Sequence, residues 1–283
     1  MTKCIEDLTP FFRDPCWMVV LLARQANVGI ILRRGPTEWW RVTLWDTKRD
    51  AFEPGQWFRG RLYPEKCDVS PNGKLFIYFA GKFSGRSMDK GYSDSWTAVS
   101  RPPYLTALAL WPIGGTYGGC GLFVDDRTVL VGAGLPHHPD HPPGPLRLMD
   151  WSKLKQEGRS HPIPSAHHGW QGVLAPGATT RCSESRKPCG EWILGRDIPR
   201  DYFGPSRRRT LYTIYRAATG EPLVLFEAHW ADWDQNERLV ATVGGRVLSG
   251  KLDKKHTLTW CELASMHEEQ PERIEAPRWA QRW

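Results

Sequence analysis

The sequence DVSPNGKLFIYFA, Asp68 to Ala80, sets out a turn followed at once by a strand. Proline at position 71 pre-sets one turn dihedral, and the Asn72-Gly73 pair tolerates positive φ, so the chain can reverse tightly here. Leu75 to Phe79 then supply five consecutive aliphatic or aromatic residues, the composition of a covered strand. The same grammar returns in GLFVDDRTVLVGAG, Gly121 to Gly134, and in ADWDQNERLVATVGGRVLSGKL, Ala231 to Leu252. The last copy contains a Gly244-Gly245 pair suited to a two-residue hairpin.

Working outward from the anchor, short apolar runs alternate with turn residues. Upstream lie Trp17–Ala23, Val28–Leu32, Trp39–Trp45 and Phe52–Phe58, four expected strands in a meander. Downstream the expected strands are Ser95–Ser100, Leu105–Trp111, Leu146–Trp151, Trp170–Leu174, Trp192–Leu194, Thr210–Arg216, Leu223–Phe226 and Thr257–Leu263. A single helical turn is expected, Trp151–Gln156, and most of Glu157–Gly190 reads as loop. No long segment carries a 3.6-residue apolar period and no βαβ alternation occurs, so the chain reads as all-β.

Composition agrees. The 283 residues include 15 Trp, 27 Gly and 23 Pro, which suits many short strands linked by turns. A surplus of seven positive charges is scattered rather than striped, so nucleic-acid binding is not the expected role. Seven cysteines form no paired framework and suggest reduced thiols. The first apolar run, Cys16–Ala23, is too short and too late for a signal peptide or a bilayer span, and a cytoplasmic protein is expected.

Aligned on the residue before each apolar unit, Asp68, Leu122 and Asp232 fall at intervals of 54 and 110 residues, the second close to twice the first. A degenerate copy is expected near residue 177, and one step back from Asp68 reaches Asp14, so five units would fill the chain. Small four-stranded units of this length suit propeller blades, because a ring of blades covers both faces of each sheet. The segment DVSPNGKLFIYF resembles the S-P-D-G turn-plus-strand signature of TolB-type propeller repeats, with Asn72 in place of the usual Asp. VTLWD, Val42 to Asp46, resembles the strand ending of WD-repeat blades without the paired Gly-His element, and Trp96–Pro112 is similar to uncharacterised bacterial proteins. These resemblances imply a propeller and leave activity open.

Candidate chemistry is sparse. Six of nine histidines fall within residues 137–168, and His137, His138, Asp140 and His141 are candidate metal ligands if their proline-rich loop curls. Solvated polar residues explain the same loop, and the spacing matches no metal motif. Cys182 and Cys189 have six residues between them, wider than zinc-ribbon pairs, and read as free thiols in a loop. Asp14, Asp68, Asp125, Asp126, Asp232 and Asp234 could converge at a channel for acid–base work, but each is also placed to cap a turn. Nucleophile elbows, Walker loops and dinucleotide fingerprints are missing, and no cofactor is expected. Gly114–Gly121 precedes a strand rather than a helix and so lacks the amides and dipole of a phosphate cradle.

The expectation is therefore a β-propeller of about five four-stranded antiparallel blades over residues 1–266, with 267–283 a tail packed on it. A β-sandwich or a two-domain all-β arrangement is the alternative. The expected role is a non-enzymatic protein-interaction module, binding another protein through Trp96, Arg101, Tyr104, His137, His138 and His141, with Arg207, Arg208 and Arg209 as a basic feature. A hydrolase using channel acids or a His-bound metal is the competing role, and a basic nucleic-acid surface the third.

Overall fold

The computed structural model describes residues 4–83, 91–116, 118–131, 136–150, 168–174, 182–197 and 209–283. One short strand, β1 (Cys4–Ile5), and a 3-10 turn, Thr9–Arg13, precede the first sheet. That sheet holds β2 (Trp17–Leu22), β3 (Val28–Arg34), β4 (Trp39–Asp46) and β5 (Ala51–Arg59) in chain order. The second sheet holds β6 (Arg61–Leu62), β7 (Asp68–Val69), β8 (Phe76–Gly81), β9 (Ser95–Ser100) and β10 (Ala109–Pro112), with β6 and β7 both paired to β8. The third holds β11 (Gly121–Phe123), β12 (Thr128–Val131) and β13 (Arg147–Asp150).

The fourth sheet runs β14 (Gln171–Leu174), β15 (Cys182–Cys189), β16 (Trp192–Asp197), β17 (Thr210–Arg216) and β18 (Pro222–Ala228). The fifth runs β19 (Trp230–Trp233), β20 (Leu239–Val243), β21 (Arg246–Leu252) and β22 (Leu258–Ser265). β1 completes this fifth sheet, lying antiparallel to β22 with Cys4 opposite Cys261 and Ile5 opposite Trp260. The described chain is thus all-β, with several antiparallel sheets that succeed one another along the sequence.

Local chemistry explains the anchor turn. Ser70 Oγ accepts the Leu75 N–H at 3.0 Å and donates to Asn72 Oδ1, which also accepts the Lys74 N–H at 2.9 Å. Gly73 sits at φ +75°, and a Cβ there would run into Val28, so only glycine closes this turn without strain. Gly244 and Gly245 both have positive φ, as a primed hairpin turn between β20 and β21 requires.

Burial follows a gradient within the sheets. β8, β12 and β20 are buried at every residue, as are the five central residues of β3. The last strands of the first and fourth sheets, β5 and β18, are largely half-buried or exposed. Complete burial of a strand requires cover on both faces, whereas the outer strands alternate toward solvent. Tryptophans supply much of the cover: Trp40, Trp45, Trp111, Trp170, Trp230, Trp233 and Trp260 are buried among the described residues. Each large side chain so buried contributes roughly 1.5–3 kcal/mol.

Contacts divide the chain into two compact units, residues 1–19 with 165–269, and residues 20–164 with 270–283. In the first, Trp170, Tyr212, Ile214, Trp233, Leu248 and Trp260 share one core, joining the fourth and fifth sheets. In the second, Ile77, Val99 and Trp111 pack with Phe123, Val129 and Val131, joining the second and third sheets.

Four sequence expectations need correction. Residues 182–189 form a strand and not a loop. The run SESRKP shows no alternation of apolar residues, and Pro188 is tolerated because β14 pairs only as far as Arg186. β13 pairs parallel to β12, with Thr128 opposite Arg147, where a meander would have made it antiparallel. The strand expected over Leu105–Trp111 starts only at Ala109, because Arg101–Leu108 forms a loop. β1 was not foreseen at all; two residues carry no period to read. The helical turn over 151–156 and the repeat copy near 177 lie outside the described residues.

Candidate functional site

The acids come first, since a catalytic reading depends on them. Asp68 is fully buried and its Oδ2 accepts the Phe123 N–H at 2.8 Å, joining the second sheet to the third. Arg24, from the first hairpin, stands 3.6 Å from the same oxygen and donates to the Phe123 carbonyl at 2.7 Å. One buried carboxylate thus ties together segments of three successive sheets. Asp126 accepts the Asn72 N–H at 2.8 Å, 54 residues away, the interval of the sequence repeat.

Asp232 accepts the Trp170 indole N–H at 3.1 Å and faces Lys187 Nζ at 2.7 Å. Asp234 accepts the Asn236 and Arg238 N–H groups and pairs with the Arg238 side chain at 2.8 Å. Asp14 faces Arg246 at 3.6 Å. Asp125 is held below the usual carboxylate range chiefly by the Arg127 N–H, with Thr128 and Arg147 adding to it. Each acid therefore serves a turn or a sheet-to-sheet tie, and the hydrolase reading gains no support from them. Among the described residues no group of three or more His, Cys, Asp or Glu is placed to hold a metal ion.

The proline-rich histidine loop has a structural logic of its own. His138 is buried and stacks on Tyr92 with ring centroids 4.0 Å apart, and its Nδ1 accepts the Asp140 N–H at 3.2 Å. Its N–H donates to the Leu110 carbonyl, and the Leu110 N–H donates back to the His141 carbonyl, so the loop is pinned to β10. The Tyr92 hydroxyl lies 3.2 Å from His141 Nε2. His137 and Asp140 are exposed.

Arg101 and Tyr104 belong to the loop Arg101–Leu108. Trp96, on β9, is half-buried and meets Phe58 edge-on at 5.9 Å. Gln56, on β5, organises the loop: its backbone N–H donates to the Pro103 carbonyl, and its Oε1 accepts the Leu105 N–H at 2.7 Å. Gln56 Nε2 then reaches outward to the Ile274 carbonyl at 3.0 Å. Arg101 Nε donates to the Arg282 carbonyl at 3.4 Å, and Tyr104 meets Trp279 edge-on at 5.7 Å. Burial and the nearby Glu53 carboxylate push the Tyr104 hydroxyl upward. Trp283 Nε1 donates to the Pro142 carbonyl at 3.1 Å, and its indole fills the space beside Gly144. Residues 270–283 are thus laid along this unit, touching Arg101, Tyr104 and the histidine loop together.

Sequence reasoning missed Gln56, because nothing in a lone glutamine marks it as a bridge. Arg33 and Arg41 are both buried, which arginine rarely is unless it is paired. They lie directly opposite each other across β3 and β4, and their guanidinium carbons stand 5.2 and 5.3 Å from the Trp57 ring centroid. Arg41 also meets the exposed Glu272 carboxylate at 3.2 Å. Arg209 rests over Phe12 at 4.5 Å and faces Glu227 at 3.6 Å; Arg207 and Arg208 lie outside the described residues.

No family model and no curated protein matches the chain. Among solved structures, TolB from Acinetobacter baumannii aligns at 12% identity with a TM-score of 0.30, over 88% of this chain and 54% of that one. An uncharacterized protein from Listeria monocytogenes aligns at 8% identity with a TM-score of 0.31, over 90% of this chain and 85% of that one. The chain spans about half the length of the TolB chain. Scores of this size do not define a shared fold. Among the described residues no helix is long and apolar enough to cross a membrane.

Proposed function

We propose that the chain is a non-enzymatic protein-interaction module built on a β-propeller of five blades, spanning residues 1–266. Three features support the architecture. Five sheets succeed one another along the chain, β8, β12 and β20 in three of them are buried at every residue, and β1 completes the last of them. A strand from one end of the chain, added to the sheet at the other, is how a ring of sheets can be closed without a free edge.

The observation that carries the interaction role is the packing of residues 270–283. A face made of Gln56, Arg101, Tyr104 and the 142–144 loop already holds a stretch of polypeptide through donors aimed at backbone carbonyls and through aromatic edges. Side-chain donors that read carbonyls recognise chain rather than one sequence, and Arg and Tyr are the residues that dominate protein interfaces. Of the nearby histidines, His138 stacks on Tyr92 and His141 lies beside its hydroxyl.

The test is affinity capture from the native host with the intact chain and with the Arg101→Ala/Tyr104→Ala double variant, read by quantitative mass spectrometry. A protein retained by the intact chain and depleted at least tenfold with the variant supports the reading. The same proteins retained by both, or none above background, defeats it.

A further inference from the structure

The segment 270–283 is held in an unusual way for a closing stretch of chain. Its small residues Ala276 and Ala280 are buried, while Glu272 and Trp279 remain 61% and 57% exposed. Three side chains of the face beneath it, Arg41, Gln56 and Arg101, reach up to the Glu272 carboxylate and the Ile274 and Arg282 carbonyls. Trp279 and Trp283 set indole edges against Tyr104 and beside Gly144. The segment itself contains one short 3-10 turn, Arg278–Ala280, and no strand pairing.

Energetically this is a weak seat. A half-exposed ion pair, a few hydrogen bonds and two aromatic edges each contribute little once solvent competition is counted. Contacts of that size hold a segment tethered to the same chain, where its effective concentration is high, and allow another segment of like chemistry to replace it.

We propose that this face is a peptide-docking site and that residues 270–283 are its resident, competing occupant. The inference rests on the interaction-module reading. The partner is an extended peptide of another protein with a carboxylate followed seven residues later by an indole, the spacing of Glu272 and Trp279. Arg41, beside the buried Arg33 and Trp57, takes the carboxylate; Tyr104 takes the indole edge; Gln56 and Arg101 read carbonyls between and beyond. Charge complementarity selects the acid, because two guanidinium groups stand opposite each other on β3 and β4.

The experiment titrates a fluorescein-labelled peptide of residues 270–283 into the full chain and into a full-length Glu272→Lys/Trp279→Ala/Trp283→Ala variant, following anisotropy. The variant loosens the resident segment and leaves the face intact. Binding at least tenfold tighter to the variant, and lost when the peptide itself carries Glu272→Lys and Trp279→Ala, is expected. Equal affinity for both proteins, or no binding to a variant that retains the parent's circular dichroism, overturns the proposal. Concentration-dependent dimers of the variant overturn it as well, since the occupant would then be a second copy.

Should the variant not fold, the intact chain is cross-linked with a peptide carrying benzophenone at the Trp279 position. Saturable labelling of residues 101–108 supports the site, and labelling elsewhere or none refutes it. A host protein lost on Arg101→Ala/Tyr104→Ala, with no peptide binding, leaves the module standing and removes only this inference.

Discussion

Asp68 and Asp232 each lie on a strand that pairs antiparallel with a fully buried one, β7 with β8 and β19 with β20, yet they are wired differently. Asp68 looks forward along the chain, to the Phe123 backbone N–H in the next sheet, with Arg24 alongside. Asp232 looks back, to the Trp170 indole and Lys187 of the preceding sheet. The first is fully buried and its tie runs to main chain; the second is slightly exposed, accepts the Trp233 N–H locally at 2.7 Å, and makes its tie through side chains. Two carboxylates on comparable strands therefore both tie sheets together, with different partners.

The largest effect that would sharpen this contrast is at Asp68. Asp68→Ala strands a buried N–H and the Arg24 guanidinium, and a loss of about 3–5 kcal/mol in urea unfolding is expected, the range for breaking a buried pair from one side. Asp232→Ala should cost less, about 1–3 kcal/mol, because Lys187 can turn to water. Asp232→Asn should recover part of that, since an amide oxygen still accepts the Trp170 N–H. Equal costs at the two aspartates would erase the distinction.

Gly245→Ala tests the turn that follows Asp232. Its φ of +73° and the close approach of the His267 backbone to any Cβ there predict a loss of about 1–2 kcal/mol in the same assay. The smallest effect is at Asp125, an exposed member of the third sheet's turn. Its native pKa lies below the usual 3.8, so the stability it contributes is present above that value and is lost as pH falls through the native pKa. Asp125→Ala should lower neutral stability slightly and leave stability below the native pKa unchanged, so that the acid limb of a pH–stability curve is shallower; an unchanged acid limb would count against the turn bonds.

How much of this was legible depends on what each signal is made of. The Ser70–Gly73 turn, the Gly244-Gly245 hairpin and the Trp-rich cover follow from dihedral preference and apolar area, which are local properties. β15 was hidden because its residues are polar and interrupted by Pro188, and its place in the fourth sheet comes from neighbours rather than from its own pattern. The burial of Arg33 and Arg41 depends on Trp57, which reaches them through strand register, a property that no single strand displays. At the candidate face, Arg101 and Tyr104 stood out by residue type, while Gln56 became visible only once Ile274 was seen above it.

Beyond both aspartates lie the sheets they tie together, and the completion of the fifth of them by β1 on β22 is the point most exposed to test. Native-state hydrogen exchange on the intact chain, resolved to the amides of residues 4–5 and 258–265, measures it directly. Protection of residues 4–5 comparable to that of β22 is predicted, because the two strands share one ladder. Exchange at residues 4–5 as fast as in an unstructured peptide, with β22 still protected, would contradict a fifth sheet completed from the beginning of the chain.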